Sequence, residues 1–149
     1  MPAVQKFDHS MIEKYLKGRN LKYLRDSEGD YRIDFAYDED TGCELTVWLI
    51  ASGRNNEIYN VLIMSDKSFP KSDWGTIAML CNTWNQERRW PKAYLYVRDP
   101  ATDTTGRIRL EQQIDLEQGI HQELLNDFTN TIILGSFLFW EWAHKEQGL

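Results

Sequence analysis

The chain is poor in the residue types that most often carry chemistry. It holds two cysteines, three histidines and four prolines in 149 residues. Neither Cys43 nor Cys81 belongs to a CxxC pair, and no histidine stands at metal-ligand spacing from either. Zinc and thiol-redox motifs are therefore absent. Two free, buried thiols in a reducing compartment are the plain expectation, with a Cys43–Cys81 disulfide left open. His9, His121 and His144 make no HxxxH or HExxH pair, which points to surface or capping roles. No GxSxG, GxxxxGK[ST] or GxGxxG occurs, so nucleophile-elbow, P-loop and dinucleotide signatures are missing. No catalytic, cofactor-binding or metal-binding residue can be assigned, and a non-enzyme is expected.

Long apolar runs are missing as well. The most apolar stretch, TIILGSFLFW (131–140), spans ten residues between polar flanks, too short to cross a bilayer. The stretch MPAVQKFDHSM lacks the apolar core of a secretory signal. A cytoplasmic protein without membrane partners is expected. Positive charge is in deficit, with 17 Lys and Arg against 23 Asp and Glu and a net charge of −6. That sign argues against a broad phosphate-binding surface. The one basic cluster, RRWPK (88–92), supplies three charges, too few for a nucleic-acid groove. A guanidinium covering a tryptophan face at a helix end is its expected use. DEDTGCE (38–44) suggests a calcium loop but puts Gly42 at the fifth position and Leu49 at the twelfth. It reads instead as a hairpin turn.

Aromatic residues, by contrast, are abundant, at 13 % with six tryptophans. Those rings need a large core or a partner. A chain of 149 residues is expected to form one domain, 1–149.

Hydrophobic periodicity predicts the order α-β-β-β-β-α-β-β-α. A first helix carries Met11, Ile12, Tyr15 and Leu16 on one stripe, with Ser10 and Glu13 at capping-box spacing and Gly18 at its end. A short strand at 21–25 follows. YRIDFAYD, CELTVWLIA and IYNVLIM then read as strands linked by turns, hence an antiparallel meander. In CELTVWLIA the odd-numbered Cys43, Leu45, Val47 and Leu49 suit a core. The spacing of Trp74, Ile77, Ala78, Cys81 and Trp84 predicts a second helix, begun near Pro70 and Ser72 and stopped before Pro91. KAYLYVR and RIRLEQQIDL form a strand pair across DPATDTTG. A long helix from about Ile120 to His144 ends the chain. One of its stripes is Ile120, Leu124, Phe128, Ile132, Gly135, Phe139 and Trp142, and a second is Leu125, Ile133, Phe137 and Trp140. Either this helix is wedged deeply into the fold or one face meets a second subunit. The class is α+β, a mostly antiparallel sheet with its helices gathered on it.

CNTWNQERRWPKAYLYV (81–97) reads as a locked helix–strand corner, with Asn82 and Asn85 placed to hydrogen-bond nearby backbone. If the odd-numbered residues of CELTVWLIA face the helices, Trp48 and Ile50 face away, and one face of KAYLYV carries Tyr94 and Tyr96. These four are the candidate partner-binding residues. An aromatic sheet face of this kind suits a peptide or a second subunit.

The N-x-W-N of Asn82, Trp84 and Asn85, the RWPKAYL from Arg89 to Leu95, and Glu117 and Gly119 ahead of the last helix resemble the YbjN family of bacterial sensory transduction regulators. The resemblance runs from about Ser10 to Trp142. It implies a fold similar to the type III secretion chaperones, small α+β proteins that are often dimeric and bind extended or partly folded polypeptides. It implies no catalytic residues. The expected function is a protein-binding, chaperone-like or regulatory module acting as a homodimer. The alternative is a small-molecule or nucleotide-responsive regulator with a pocket between sheet and helix.

Overall fold

A computed structural model describes residues 3–149; Met1 and Pro2, the start of the stretch MPAVQKFDHSM, lie outside the described residues. The elements are α1 (His9–Gly18), β1 (Leu24–Arg25), β2 (Tyr31–Asp38), β3 (Cys43–Ser52), β4 (Ile58–Ser65), β5 (Phe69–Pro70), α2 (Trp74–Glu87), β6 (Lys92–Tyr96), β7 (Thr105–Asp115) and α3 (Gln122–Lys145). A 3-10 turn, Lys71–Asp73, leads into α2. The expected order is present, with the two-residue β5 added to it.

All strand pairs are antiparallel: β1 to β2, β2 to β3, β3 to β4, β4 to β7, and β6 and β5 both to β7. The meander therefore joins the β6–β7 hairpin through β4 and β7. Strict alternation sets the register. Leu45, Val47 and Leu49 on β3 and Tyr59, Val61 and Ile63 on β4 are buried on the same face as Ile108 and Leu110 on β7. The helices pack on that face. A one-residue slip would expose every one of these side chains.

α1 buries Met11, Ile12, Tyr15 and Leu16, as the spacing requires. Its cap is Asp8, not Ser10: the Asp8 carboxylate accepts from the Ser10 amide at 2.9 Å, and Ser10 sits inside the first turn. Gly18 is the last helical residue, and the left-handed turn falls on Asn20 (φ 53°). On α2 the buried residues are Ile77, Cys81 and Trp84, while Ala78 is exposed. Ala78 lies about 100° round the helix from Ile77, at the edge of the arc that faces the sheet.

α3 is wedged into the fold through both expected stripes, though not through every residue of them. Leu125, Thr129, Ile132, Gly135, Ser136, Phe139, Trp140 and Ala143 are buried, and Phe128, Ile133, Phe137 and Trp142 pack at the margin of the core. Leu124 is the exception and lies on the solvent side. Where α3 meets α2, Trp84 stands edge-on to Phe139 at 5.2 Å between centroids, and Phe139 edge-on to Trp140 at 5.3 Å. These are favoured geometries for aromatic pairs. The Tyr59 hydroxyl meets Thr129 Oγ1 at 2.6 Å, which satisfies both buried groups.

The corner between α2 and β6 is locked as expected. Trp84 Nε1 donates to Pro91 O at 2.9 Å. Asn85 Nδ2 donates to Ala93 O at 2.8 Å, and Ala93 N donates back to Asn85 Oδ1 at 2.9 Å. Asn82 takes no part and points to solvent. The Arg88 guanidinium covers the Trp84 ring at 5.3 Å, as expected of the basic cluster. Gly135 on α3 admits this corner: a Cβ there would stand 2.9 Å from Pro91 Cδ and 3.1 Å from Trp90 O.

Cys43 and Cys81 are free and buried, so the disulfide is not formed. Burial pushes their thiols up to about 11 and about 12. His121 caps α3 by accepting from the Leu124 amide at 3.1 Å. The Asp38–Cys43 segment is a tight turn with Gly42 at φ 67°. No helix among the described residues is long and apolar enough to cross a membrane.

Candidate functional site

The helices occupy one face of the sheet, and the even-numbered residues of β3 and β6 lie on the other. Cross-strand pairing orders that face in rows. One row runs Arg32, Trp48, Leu62, Glu111, Lys92, from β2 through β3, β4 and β7 to β6. The next runs Asp34, Thr46, Met64, Arg109, Tyr94. On one side of these rows Ile50 pairs with Asn60, which pairs in turn with Gln113, and on the other Tyr96 pairs with Arg107.

All four sequence-predicted residues, Trp48, Ile50, Tyr94 and Tyr96, thus share the outer face, and all are half-buried. They do not form one cluster. β3 and β6 are separated by β4 and β7, about 14 Å at the usual strand spacing. The space between is filled by Leu62, Met64, Arg109 and Glu111, which sequence reasoning missed. IYNVLIM is apolar on both faces, so its period gave no sign of which residues face outward. In RIRLEQQIDL the alternation of Arg109 and Glu111 with Ile108 and Leu110 did carry that signal.

None of Trp48, Ile50, Leu62, Met64, Tyr94 or Tyr96 belongs to the hydrophobic core or packs against it. Leu62 is nonetheless only 9 % exposed, because its neighbours on the same face enclose it. The face therefore carries a second, shallow apolar layer of its own.

A polar network crosses this layer. Glu111, 8 % exposed, accepts from the Tyr94 hydroxyl at 2.7 Å and from Asn60 Nδ2 at 3.1 Å, and Lys92 Nζ lies 3.6 Å away. Burial works against the Glu111 carboxylate, but the hydrogen bonds from Tyr94 and Asn60 and the Lys92 charge outweigh it and hold its pKa below the usual value. Tyr94 is raised, by burial first and then by its bond to Glu111. The Arg109 guanidinium stacks on the Tyr96 ring at 3.5 Å from the centroid, and Arg32 sits over Trp48 at 5.8 Å. The rings and the ammonium and guanidinium groups of this face are thus held against one another within the chain. The network assembles no nucleophile, base and oxyanion donor together.

Two further facts come from known proteins. The family model for YbjN, described as "Putative bacterial sensory transduction regulator", matches residues 8–135. The crystal structure of YbjN from E. coli, described as "a putative transcription regulator", superposes with a TM-score of 0.72 at 12 % identity, covering 97 % of this chain and 96 % of that one. At that identity the likeness shows the fold. No curated protein matches the chain. The family description names a regulator and not an enzyme. On the family match over most of its length, the chain belongs to the YbjN family.

Proposed function

We propose that residues 1–149 form one YbjN-like domain that acts in the cytoplasm as a non-enzymatic, protein-binding regulatory module, chaperone-like in presenting a sheet face to a polypeptide and working as a homodimer. The observation that carries this reading is the apolar layer of Trp48, Ile50, Leu62, Met64, Tyr94 and Tyr96, outside the core and on the face opposite the helices. Trp, Tyr, Met and Arg are the types enriched in protein interfaces, and a ridge of Arg109 and Glu111 between two apolar patches supplies orientation. The negative net charge and the lack of a basic groove give nucleic acid no comparable surface.

The test is photo-crosslinking in living bacterial cells from a photoreactive residue placed at Ile50 or Tyr94. One discrete adduct shared by both positions, and lost on Trp48→Ala while the fold persists, is the expected result. Absence of any adduct from both positions would remove the sheet face from the function.

A second reading has one observation in its favour. Gln112, Ile114, Leu124, Asp127, Phe128 and Trp90 line a groove of about 350 Å³ between β7 and α3, within the size range of small-ligand sites. A ligand-responsive regulator would use this groove. Native mass spectrometry showing a co-purified small molecule, released by Phe128→Trp and retained by Trp48→Ala and Tyr96→Ala, would favour it.

A further inference from the structure

The solvent side of α3 is not the polar surface expected of a helix already buried along two stripes. Leu134 is 61 % exposed, Leu124 47 % and Leu138 45 %, and Trp90, carried against α3 by the α2–β6 corner, is 44 % exposed. These residues are in register. Leu124, Thr131 and Leu138 recur at seven-residue intervals, and Asp127, Leu134 and Glu141 follow each of them by three. Three of these six positions, Leu124, Leu134 and Leu138, are apolar, so the heptad spacing gives a leucine stripe facing water between polar positions. Trp90 and Thr131 line two grooves along one flank of it, of about 350 and 250 Å³, and Leu134 lines a third on the other flank with Tyr15 and Phe137.

The charges around this stripe are arranged by sign. Glu123 and Asp127 stand toward its N-terminal end, and Arg88 and Arg89 line the groove at Leu138 toward the other. Among the described residues none of these four has an ion-pair partner. Glu141, by contrast, is already matched to Lys145 at 3.2 Å, and Glu146, which lines a groove with Arg88 and Trp142, is an unmatched acid at the basic end among the described residues. A surface with an apolar centre, unmatched acids at one end and unmatched bases at the other is self-complementary under a two-fold axis.

We infer that α3 is the dimer contact, packed antiparallel on the α3 of a second copy. Thr131 of each chain lies opposite Leu134 of its mate across the axis, and Trp90 closes over one flank. Asp127 then reaches the Leu138 end of the other chain and pairs with Arg88 and Arg89, twice over by symmetry. This rests on the homodimer reading above and names its contact.

The test is sedimentation of the purified full chain over two decades of concentration, with variants at exposed positions. The wild type is expected to pass from 17.6 kDa to twice that mass. Leu134→Glu should remain monomeric throughout, with an unchanged circular dichroism spectrum and melting temperature. Asp127→Arg should weaken dimerisation by about tenfold, and adding Arg88→Asp and Arg89→Asp should restore most of it. As both native thiols are buried, an equal mixture of Thr131→Cys and Leu134→Cys chains should give an oxidised covalent dimer and Thr46→Cys on the sheet face should not. A dimer that survives Leu134→Glu, or crosslinks through Thr46→Cys, overturns the α3 contact and leaves the homodimer reading standing. A wild type that is monomeric at every concentration overturns both.

Discussion

Asn85→Ala tests how the outer sheet face is held in place. The Asn85 amide both donates to Ala93 O and accepts from Ala93 N, at 2.8 and 2.9 Å, so it acts as one residue of an extra strand on the open side of β6. Ala93 is 3 % exposed, and its backbone groups lose both partners when the amide is removed. Two hydrogen bonds at about 1 kcal/mol each set the expected loss near 2 kcal/mol. Asn85 itself is exposed and water can reach part of the gap, so the figure sits below the full penalty for two orphaned groups. For a chain of this size the melting temperature should fall by about 4–8 °C. Urea unfolding followed by tryptophan fluorescence reads the loss directly. Asn85→Asp is the sharper variant, since a carboxylate accepts from Ala93 N but faces Ala93 O with no proton to donate. It should be no better than alanine. If Asn85→Ala costs less than about 0.5 kcal/mol, or Asn85→Asp is neutral, the amide does not clamp β6 and the placement of Tyr94 and Tyr96 has another cause.

Further outcomes follow from the same geometry. Trp48→Ala and Tyr96→Ala should abolish partner crosslinking yet cost far less stability than Trp84→Ala, whose buried ring predicts a loss of about 3–5 kcal/mol in urea unfolding. Tyr59→Phe should cost about 1 kcal/mol by the same assay, because Thr129 keeps its bond to Leu125 O at 2.7 Å. Glu111 has a folded pKa below its unfolded value, so its contribution is present above the unfolded pKa and is lost as pH falls through the folded one. The stability gap between wild type and Glu111→Gln should therefore be full at neutral pH and close in acid; a gap that stays constant to pH values well below about 4 would contradict the network. Cys43 and Cys81 should resist an aromatic disulfide reagent at pH 8 in the native chain and both react in denaturant, because burial raises both thiols well above that pH.

Much of this fold was legible because alternation is unambiguous wherever one face is apolar and the other is not. CELTVWLIA placed Cys43, Leu45, Val47 and Leu49 inward and Trp48 and Ile50 outward, and the register confirms each position. IYNVLIM defeated the same logic, because Leu62 and Met64 are as apolar as Val61 and Ile63. The outer layer was therefore half visible, through its aromatics alone. Helical spacing failed for a related reason at Ala78, since a small apolar residue at the rim of a stripe costs little exposed or buried. On α3 apolar residues stand on nearly every side, so two stripes could be drawn through the sequence and Leu124 assigned to one of them. Only packing against β4, β7 and α2 showed which arc is core and left Leu124, Leu134 and Leu138 as a third. The corner motif was read correctly in kind, but sequence offered two amides, and the direction of the chain after Trp90 decided for Asn85 over Asn82.

The placement of the two surfaces bears on how the proposed module would work. α3 packs on one side of the sheet, and the layer from Trp48 to Tyr96 lies on the other. A dimer joined through α3 turns both sheet faces outward, so neither is consumed by self-association. Each dimer then presents two equivalent sites to a polypeptide. A ligand long enough to reach both gains avidity of about 10²–10⁴ without any new contact, while a short one gains none. Leu134→Glu should therefore leave binding of a short segment unchanged and selectively weaken binding of a long one. Were the sheet face itself the dimer contact, the same substitution would change neither, and Trp48→Ala would alter both the mass and the binding at once.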